Sequence, residues 1–538
     1  MKTVIKLLAC IGIIVLVSSG SALAAERPLR TSWAWPTYID PAVGSDYSST
    51  HALVNIYDTL AFPDTNGDPQ PHVATSWSLS DDNLVWTFKL RPGIKFHDGS
   101  ELTAEDVKFS MERLLAIGQG YAHIFVGTVD RVEAPDKYTV VFHLKKPFGP
   151  FLSALYRLYI LNKDLVMAHI KKPGPYGEMG DYGKKWLVTH DAGSGPYKVK
   201  KFKVEERLVL ELVPDYWLPL DPNVPDEFIM LGTTEAATVR TLMSRRELEV
   251  SDQWQTDEAL QALDKIKGVD VFQGFSGGEF YFMIHTKKPP TDCIHFRKAM
   301  AYAFDYETVP KYLFPGSVVS RGPIPHVVPG FNPNVYQYKR DLAKAKEELK
   351  KSKYYGKLDQ YPIEVHWVAE VPDEEKVALM FMSNMAEIGI NVKVVKVPWM
   401  SVVEETAAID TSPHIVTIFD QPHYPEAISL LEARYGSSSA ATWEQNEWLM
   451  DKKFDEMIKD ALETVDRKKR FEKCYKIQDY IVDLCPTLFI FDQALRQAYQ
   501  SAYVDWPEAK GERIPIMGYS LVGRLMKVFP EKRAELLK

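Results

Sequence analysis

The stretch that decides the fold is residues 74–110, ATSWSLSDDNLVWTFKLRPGIKFHDGSELTAEDVKFS. Residues 86–90 alternate apolar and polar side chains, which predicts a half-buried strand that the following Pro-Gly pair ends. A second short strand is expected at 94–96. Thr103 can then cap a helix through its hydroxyl, and Asp106 is placed to complete a capping box. The order of strand, turn and capped helix predicts a packed α+β unit.

The same stretch resembles the signature of the extracellular solute-binding proteins of family 5, which serve peptide and nickel importers of the ABC type. Three later segments extend the resemblance: Gly193 to Tyr197, Pro214 to Trp217, and the helical pattern at 295–305. The resemblance implies an α/β fold that is periplasmic binding protein type II-like, with two main α/β lobes joined by a hinge and an extra smaller lobe.

The order of segments in that family also implies how the chain is divided. The expected parts are a signal peptide at 1–24, lobe I at 25–66, 191–286 and 496–538, lobe II at 67–190, and lobe III at 287–495. Strands that cross between lobes form a hinge, so a ligand that touches both lobes can stabilise a closed state without any covalent step.

The N-terminus has the pattern of a secretory signal peptide. Lys2 and Lys6 precede an apolar run at 7–17, and small residues follow at 22–24. Cys10 resembles a lipoprotein site, but the apolar run continues past it, which disfavours lipidation. We therefore expect a periplasmic protein. Its formal net charge of −8 becomes −10 when the two lysines are removed, and this acidic balance disfavours nucleic acid and anionic membranes as partners.

Three cysteines follow the signal peptide: Cys293, Cys474 and Cys485. If residues 466–484 form one helix, Cys474 and Cys485 are about 16 Å apart along its axis. A disulfide needs Cα atoms within about 7 Å. These two should therefore not pair, and any bridge would use Cys293.

Residues 274–278, Gly-Phe-Ser-Gly-Gly, fit the G-x-S-x-G pattern of a hydrolase nucleophile. That motif needs a helix directly after the serine, whereas residues 279–284 are aromatic and strand-like. We expect a glycine-rich loop near the interlobe cleft, with Ser276 as a ligand contact and no catalytic residue. A secreted hydrolase that uses Ser276 or the region of His414 and His423 is the alternative function.

A metal site is a further hypothesis, because His414, Asp420, His423 and Glu426 offer nitrogen and oxygen donors within a short segment. Their spacing is not that of a known closed site, and the sequence has neither an HExxH motif nor an EF-hand loop. The sequence therefore predicts no metal and no cofactor, and surface polar groups on a strand-to-loop segment.

The run 419–425 stands where peptide-binding members of the family carry a tryptophan and an acidic residue before a proline. In those members the aspartate pairs with the peptide's α-amino group. Asp420 is the counterpart here, although the run is one residue out of step and the tryptophan is missing, which weakens a peptide as the ligand. A strand is predicted at 414–419, and ligands gather beyond the carboxyl ends of such strands. We expect Asp420 to face the cleft and bind a donor on the ligand, or to pair with a nearby basic side chain.

Aromatic residues make up 12% of the chain, and several are expected at or just beyond strand ends, among them Trp33. Together they favour a cleft with flat apolar walls and a few polar contacts. The predicted ligand-binding residues are Trp35, Tyr38, Ser276, Trp399, Phe419, Asp420, Tyr424 and Phe491.

These observations predict a substrate-binding protein of an ABC importer and not an enzyme. It would capture a small organic solute, peptide-like or other, and deliver it to permease subunits in the inner membrane. A monomer is expected. A role as the ligand-sensing partner of a chemoreceptor stays open, and the sequence does not name the solute.

Overall fold

A computed structural model describes residues 26–538 except 34, 35, 37 and 205, and it describes only the backbone of Ser276. The predicted signal peptide, Cys10 and Trp35 lie outside the described residues. Within the described chain, every helix is too short or too polar to cross a membrane.

The strands follow one another along the whole chain. They are β1 Pro28–Trp33, β2 Ala61–Pro63, β3 Pro69–Pro71, β4 Ala74–Leu79, β5 Val85–Leu90, β6 Val129–Asp136, β7 Thr139–Leu144, β8 Tyr197–Lys203, β9 Arg207–Leu212, β10 Glu227–Gly232, β11 Asp270–Ile284, β12 Val318–Val319, β13 Ile363–Val368, β14 Val392–Val397, β15 Ile415–Asp420, β16 Thr487–Tyr499, β17 Val504–Asp505 and β18 Lys527–Val528.

The α-helices lie between these strands and at the C-terminus. They are α1 Tyr47–Ile56, α2 Ala104–Ile117, α3 Phe151–Ala154, α4 Lys163–Ala168, α5 Ala236–Ser244, α6 Asp257–Asp264, α7 Ile294–Ala303, α8 Leu342–Lys351, α9 Asp373–Ala386, α10 Trp399–Thr406, α11 Ala427–Tyr435, α12 Lys452–Leu462, α13 Arg467–Leu484 and α14 Pro530–Leu536.

Three larger sheets organise the part of the chain that the structure describes. The first has the order β1-β10-β9-β8, with β1 parallel to β10. The second is mixed, with the order β12-β16-β11-β15-β13-β14, and the third is the antiparallel sheet β4-β5-β7-β6. This combination of several sheets with helices confirms the α/β fold class.

Residues 74–110 fold largely as predicted. The expected strand at 86–90 is β5, and α2 begins after Thr103, whose backbone N–H and hydroxyl both donate to Oδ2 of Asp106, at 2.9 and 2.8 Å. The strand expected at 94–96 is wrong. That segment makes only a single bridge, Lys95 to Glu101, because it turns back within a few residues.

Two further helices begin at an aspartate cap. The side chain of Asp46, before α1, accepts a hydrogen bond from Ser49 N at 2.8 Å. The helix predicted at 466–484 is α13, with Asp466 as its N-cap. Cys474 lies inside this helix and Cys485 directly after it, and both are free thiols, as is Cys293.

The two long strands β11 and β16 connect the first sheet to the second. Residues 270–275 of β11 pair with residues 494–499 of β16, and the end of β16 bridges Val250, which in turn bridges Thr31 of β1. Residues 279–284 of β11 lie between β16 and β15 in the second sheet. We call β11 and β16 the crossing strands.

The glycine-rich loop expected at 274–278 is wrong, because these residues lie inside β11. The register with β16 shifts between Phe275 and Glu279, so three residues of β11 face one of β16. Gly277 has a φ of +82°, a conformation that L side chains rarely adopt, and a Cβ there would lie 3.1 Å from Cγ2 of Val328. The glycines therefore form a β-bulge at the centre of a crossing strand.

A buried carboxylate, Asp58, ties several segments together behind α1. It accepts hydrogen bonds from Nε2 of His72, the Ser194 hydroxyl, the Tyr216 hydroxyl and Nε1 of Trp217, at 2.7 to 3.0 Å. Burial alone would raise the pKa of Asp58, but these donors together hold it below its ordinary value. Burial lowers the pKa of His72, so the histidine donates as a neutral group at pH 7.

We predict that Asp58→Asn lowers the free energy of unfolding at pH 7 by about 2–4 kcal/mol, because it weakens several hydrogen bonds to one buried charged group. A carboxyl whose folded pKa is depressed stabilises the fold above its unfolded pKa near 4, and this contribution is lost as the pH falls through the folded pKa. Denaturant unfolding at pH 7 and at about pH 3 measures both effects. Asp215→Asn, on an exposed residue of the same region, is the control. An equal loss at both pH values would contradict the prediction.

Candidate ligand-binding cleft

A small cavity lies beside the crossing strands. Its volume is about 40 Å³, and its lining comes from distant parts of the sequence: residues 253–260, residues 313–317, residues 493–496 of β16, and the start of α9. These segments meet only because β16 passes between the two sheets. The cavity therefore occupies the position expected of an interlobe cleft.

Several buried polar atoms around this cavity have no hydrogen-bond partner among the described residues: Gln255 Oε1, Gln493 Oε1 and Arg496 Nε. The other amide atom of Gln255 is held, since its Nε2 donates to Thr234 O and to Asp252 Oδ2 at 2.8 Å each. A buried polar atom without a partner costs about 1–3 kcal/mol. The set is thus available to a ligand that supplies the missing donors and acceptors.

Aromatic rings form one wall of the cleft. The ring of Trp254 lies 5.1 Å from that of Phe419, at the end of β15. Phe419 in turn packs against Phe280, Phe314 and Phe491, with ring centroids 4.7 to 5.9 Å apart. Such edge and tilted contacts make a rigid apolar surface. The lining of the cavity includes both Trp254 and Phe314.

A buried charge cluster lies behind this wall. Nε of Arg434, in α11, donates to Oδ2 of Asp420 at 2.9 Å, and its Nη1 donates to Oε2 of Glu279 in β11 and to Pro323 O at 3.0 Å. The guanidinium also stacks over the ring of Tyr281, 4.1 Å from its centroid. We call Glu279, Asp420 and Arg434 the charged triad.

The charged triad has two carboxyls for one guanidinium, and all three side chains are almost completely buried. Burial raises the pKa of Glu279 to about 8, although the Arg434 guanidinium opposes the shift. Burial also raises the pKa of Asp420, again against Arg434. At neutral pH Glu279 therefore holds a proton for much of the time, and Asp420 is the main counter-charge of Arg434.

The structure brings some of the predicted ligand-binding residues together. Phe419 and Phe491 share the aromatic wall, and Asp420 lies at its edge. Asp420 is the last residue of β15 and not the first residue beyond it, since its backbone pairs with Glu279. Its two carboxylate oxygens accept from Gln421 N and from Arg434, so the nearby basic side chain is present. Direct recognition of a ligand by Asp420 stays a prediction.

Other predicted residues lie apart from this cavity. Trp399 begins α10 and packs on Trp443 with ring centroids 5.3 Å apart, and Tyr424 is buried beyond β15. Tyr38 is 40% exposed. Phe491 lies inside β16 and not at a strand end, because β16 extends to Tyr499.

The sequence analysis missed the polar lining and the arginine of the charged triad. Two local signals could have pointed to them. Gln253-Trp254-Gln255 places an aromatic ring between two amides, and Glu279 opens the otherwise apolar run 280–284. A charged residue in such a strand needs a buried partner. The identity of that partner, Arg434, depends on the fold alone.

The metal set considered in the sequence does not assemble. Oxygens of Glu426 accept from Nε and Nη2 of Arg470 at 2.8 Å each, and Asp420 pairs with Arg434. His414 precedes β15, whereas His423 follows it, so the strand separates the two imidazoles. Both carboxylates are held by arginines instead.

Comparison with known proteins places this fold and cleft in a family. The model of "Bacterial extracellular solute-binding proteins, family 5 Middle" matches residues 68–441. The chain belongs to this family. The family match confirms the resemblance found in the sequence, and it includes every strand of the three larger sheets except β1 and β16.

Relatives of this family 5 protein are named for different ligands. The chain is 28% identical over 471 residues to the probable D,D-dipeptide-binding periplasmic protein DdpA of Escherichia coli K12, covering 85% of this chain and 87% of that protein. It is 25% identical over 483 residues to heme-binding protein A of Haemophilus influenzae, covering 83% of each.

Solved structures share the fold. DppA from Helicobacter pylori in complex with the peptide STSA superposes with a TM-score of 0.81 at 23% identity, over 93% of this chain and 98% of that one. AgaA of Agrobacterium tumefaciens R10 in complex with agropinic acid gives a TM-score of 0.79 at 19% identity, over 93% and 99%. At this level of identity the match shows the periplasmic binding protein type II-like fold.

We predict that Arg434→Met lowers the free energy of unfolding by about 3–5 kcal/mol, because it leaves two buried carboxyls without their cation. The triple variant Glu279→Gln, Asp420→Asn, Arg434→Met should recover much of this loss, since no buried charge then remains in the triad. Denaturant unfolding of both variants measures the difference. A triple variant no more stable than Arg434→Met would show that the loss of stability comes from the changed shape of the side chain and not from the unpaired buried charge.

Proposed function

We propose that this chain is the substrate-binding component of an ABC-type importer, which binds a small organic solute in the cleft beside the crossing strands. The protein is exported to the periplasm through an N-terminal signal peptide that is then cleaved, and it delivers the solute to permease subunits in the inner membrane. It acts as a monomer and catalyses no reaction. Its acidic charge fits neither nucleic acid nor an anionic membrane as a partner.

The observation that carries this proposal is the set of partnerless polar atoms around the cavity. A cavity of about 40 Å³ has room for only a few water molecules. Pockets that hold organic ligands have volumes of roughly 300–1,000 Å³. An organic solute would therefore enter by an opening of the cleft, and it would satisfy the polar atoms when the cleft closes around it.

The bulge in β11 supports a hinge at residues 276–278. Ladder pairing with β16 is interrupted there, and a second register shift follows between Phe280 and Tyr281. A glycine at φ +82° gives the backbone freedom that other residues lack. Hinges in such proteins are a few residues that absorb changes of φ and ψ. The two sheets can therefore rotate about the middle of the crossing strands.

The chemistry of the cleft favours a ligand with both polar and flat apolar parts. Amide groups of Gln253, Gln255 and Gln493 offer donors and acceptors, and Trp254 and Phe314 offer an aromatic surface. Short peptides have this combination. One relative is named as a probable D,D-dipeptide-binding protein, and one similar structure was solved in complex with the peptide STSA. We therefore propose a peptide-like solute, with Asp420, Phe419 and Phe491 contributing to its site.

A first experiment identifies the solute and tests closure. Mass spectrometry of the small molecules that co-purify with the protein supplies candidates, and titration calorimetry measures their binding. Small-angle scattering should show a smaller radius of gyration at saturating solute than in protein from which the solute has been removed. Saturable binding without any change in this radius would contradict closure, and turnover of the solute would contradict the non-enzymatic role.

We predict that Gln493→Leu weakens solute binding five- to thirtyfold, about 1–2 kcal/mol, by removing a hydrogen bond that only the ligand completes. The same change should leave the thermal unfolding temperature of the solute-free protein unchanged or raise it, because it removes a partnerless polar atom. Gln360→Leu, on an exposed residue, is the matched control. Equal affinity of the wild-type and Gln493→Leu proteins would exclude this residue from the site.

Ser276→Ala separates the binding function from the hydrolase alternative. A nucleophile elbow requires a strand, a sharp turn and then a helix. The backbone of Ser276 lies inside β11, which continues as a strand to Ile284. We predict that Ser276→Ala changes solute affinity by no more than a few fold and abolishes no activity. Loss of a hydrolytic activity through this substitution alone would overturn the assignment.

A further inference from the structure

Three metal-ligating side chains from separate segments meet outside the cavity described above. His123 lies in the short 3-10 helix Gly120–Ile124, after α2, whereas His423 follows β15 and Glu444 precedes α12. One ligand atom of each lies within 4.8 Å of the others. The cluster therefore bridges the part of the molecule around the third sheet and the part around the second.

The spacing is close to that of a coordination sphere. Nε2 of His423 lies 3.5 Å from Oε1 of Glu444. Ligands bound at about 2.1 Å in a tetrahedron are roughly 3.4 Å from one another. The imidazoles of His123 and His423 have centroids 5.3 Å apart and meet edge to face. Only a small inward movement of His123 would complete three bonds to one ion.

Hydrogen bonds fix the tautomer of one ring and the position of the other. Nδ1 of His123 donates to Gly120 O at 3.2 Å, since a carbonyl can only accept, and its Nε2 lone pair is therefore available. The backbone of His423 is held on both sides. Its N–H donates to Oγ of Ser429 at 2.9 Å, and its carbonyl accepts from Nε of Arg157 at 2.7 Å.

The remaining donors are buried and unused. His423 is 2% exposed and Glu444 is 4% exposed. Within the described part of the chain, Nε2 of His423 and Oε2 of Glu444 have no hydrogen-bond partner. Buried polar atoms are nearly always satisfied in folded proteins, so each such atom calls for a reason. Nε2 of His423 and Oε2 of Glu444 are two such atoms, and His123 lies beside them. Together they point to a bound species that supplies the missing contacts.

We propose that His123, His423 and Glu444 bind one divalent first-row transition-metal ion. Two imidazoles and one carboxylate suit zinc, nickel, cobalt or copper better than magnesium or calcium, which prefer oxygen ligands alone. Three protein ligands leave at least one coordination position for water or another donor. The ion would tie the two parts of the molecule together. The site does not depend on which solute the cleft carries.

Nearby charges permit a cation here. Arg157 and Arg434 are the arginines beside His423, and Arg434 is already neutralised by Asp420. The guanidinium of Arg157 lies over the ring of Tyr121, 4.6 Å from its centroid, and donates to backbone carbonyls. Glu444 supplies one further carboxyl, which would face the ion itself and offset part of its charge.

The test uses the purified protein after treatment with a chelator and dialysis, titrated with zinc chloride by calorimetry and with cobalt(II) by visible absorption. We expect one ion per chain, cobalt absorption bands in the visible region, and a higher thermal unfolding temperature with metal. His123→Gln and His423→Gln should each weaken zinc binding at least about tenfold and abolish the cobalt bands.

His414→Gln is the matched control, because this histidine lies at the other end of β15 and should leave zinc binding unchanged. Glu444→Gln keeps the shape of the side chain and tests the site if a histidine variant fails to fold. The proposal is overturned if the wild-type protein binds no stoichiometric zinc, or if binding survives both His123→Gln and His423→Gln. It is also overturned if His414→Gln reduces binding as much as they do.

Discussion

The pairing of β11 with β16 is the constraint on which the rest of the structure depends. These strands are distant in sequence, yet they form one ladder that passes from the first sheet to the second. The ladder supplies Gln493 and Arg496 of β16 to the cleft and Glu279 of β11 to the charged triad. The bulge at 276–278 and a second register shift between Phe280 and Tyr281 interrupt the ladder near its centre, between the segments paired in each sheet.

Burial of polar groups is the second theme of the molecule. Asp58 is satisfied by side chains of the protein, and it holds several segments together. Gln255 Oε1 and Gln493 Oε1 at the cavity, and Nε2 of His423 and Oε2 of Glu444 in the metal-ligating cluster, have no partner among the described residues. Because an unsatisfied buried polar atom costs free energy, the first kind of group specifies the fold, whereas the second kind indicates where another molecule or ion completes the contacts.

Local elements were predictable where a few neighbouring residues determine them. The capping box at Thr103 and Asp106 and the helix after Asp466 were found because caps depend on residues three or four positions apart. The glycines at 274–278 were misread as a loop, since a bulge inside a strand depends on the partner strand, which is more than two hundred residues away. The strand expected at 94–96 does not form for the same reason, because a strand needs a partner strand as well as a sequence pattern.

The sequence by itself determined the family, the fold class and the aromatic and acidic character of the chain, because these follow from composition and from motifs of adjacent residues. The tertiary structure alone decided which groups meet. In the folded protein Asp420 pairs with Arg434, and the ring of His123 contacts that of His423. Gln253, Gln255 and Gln493 line one cavity. The physical reason is that burial and pairing depend on distances between residues far apart in the chain, and no local pattern encodes those distances.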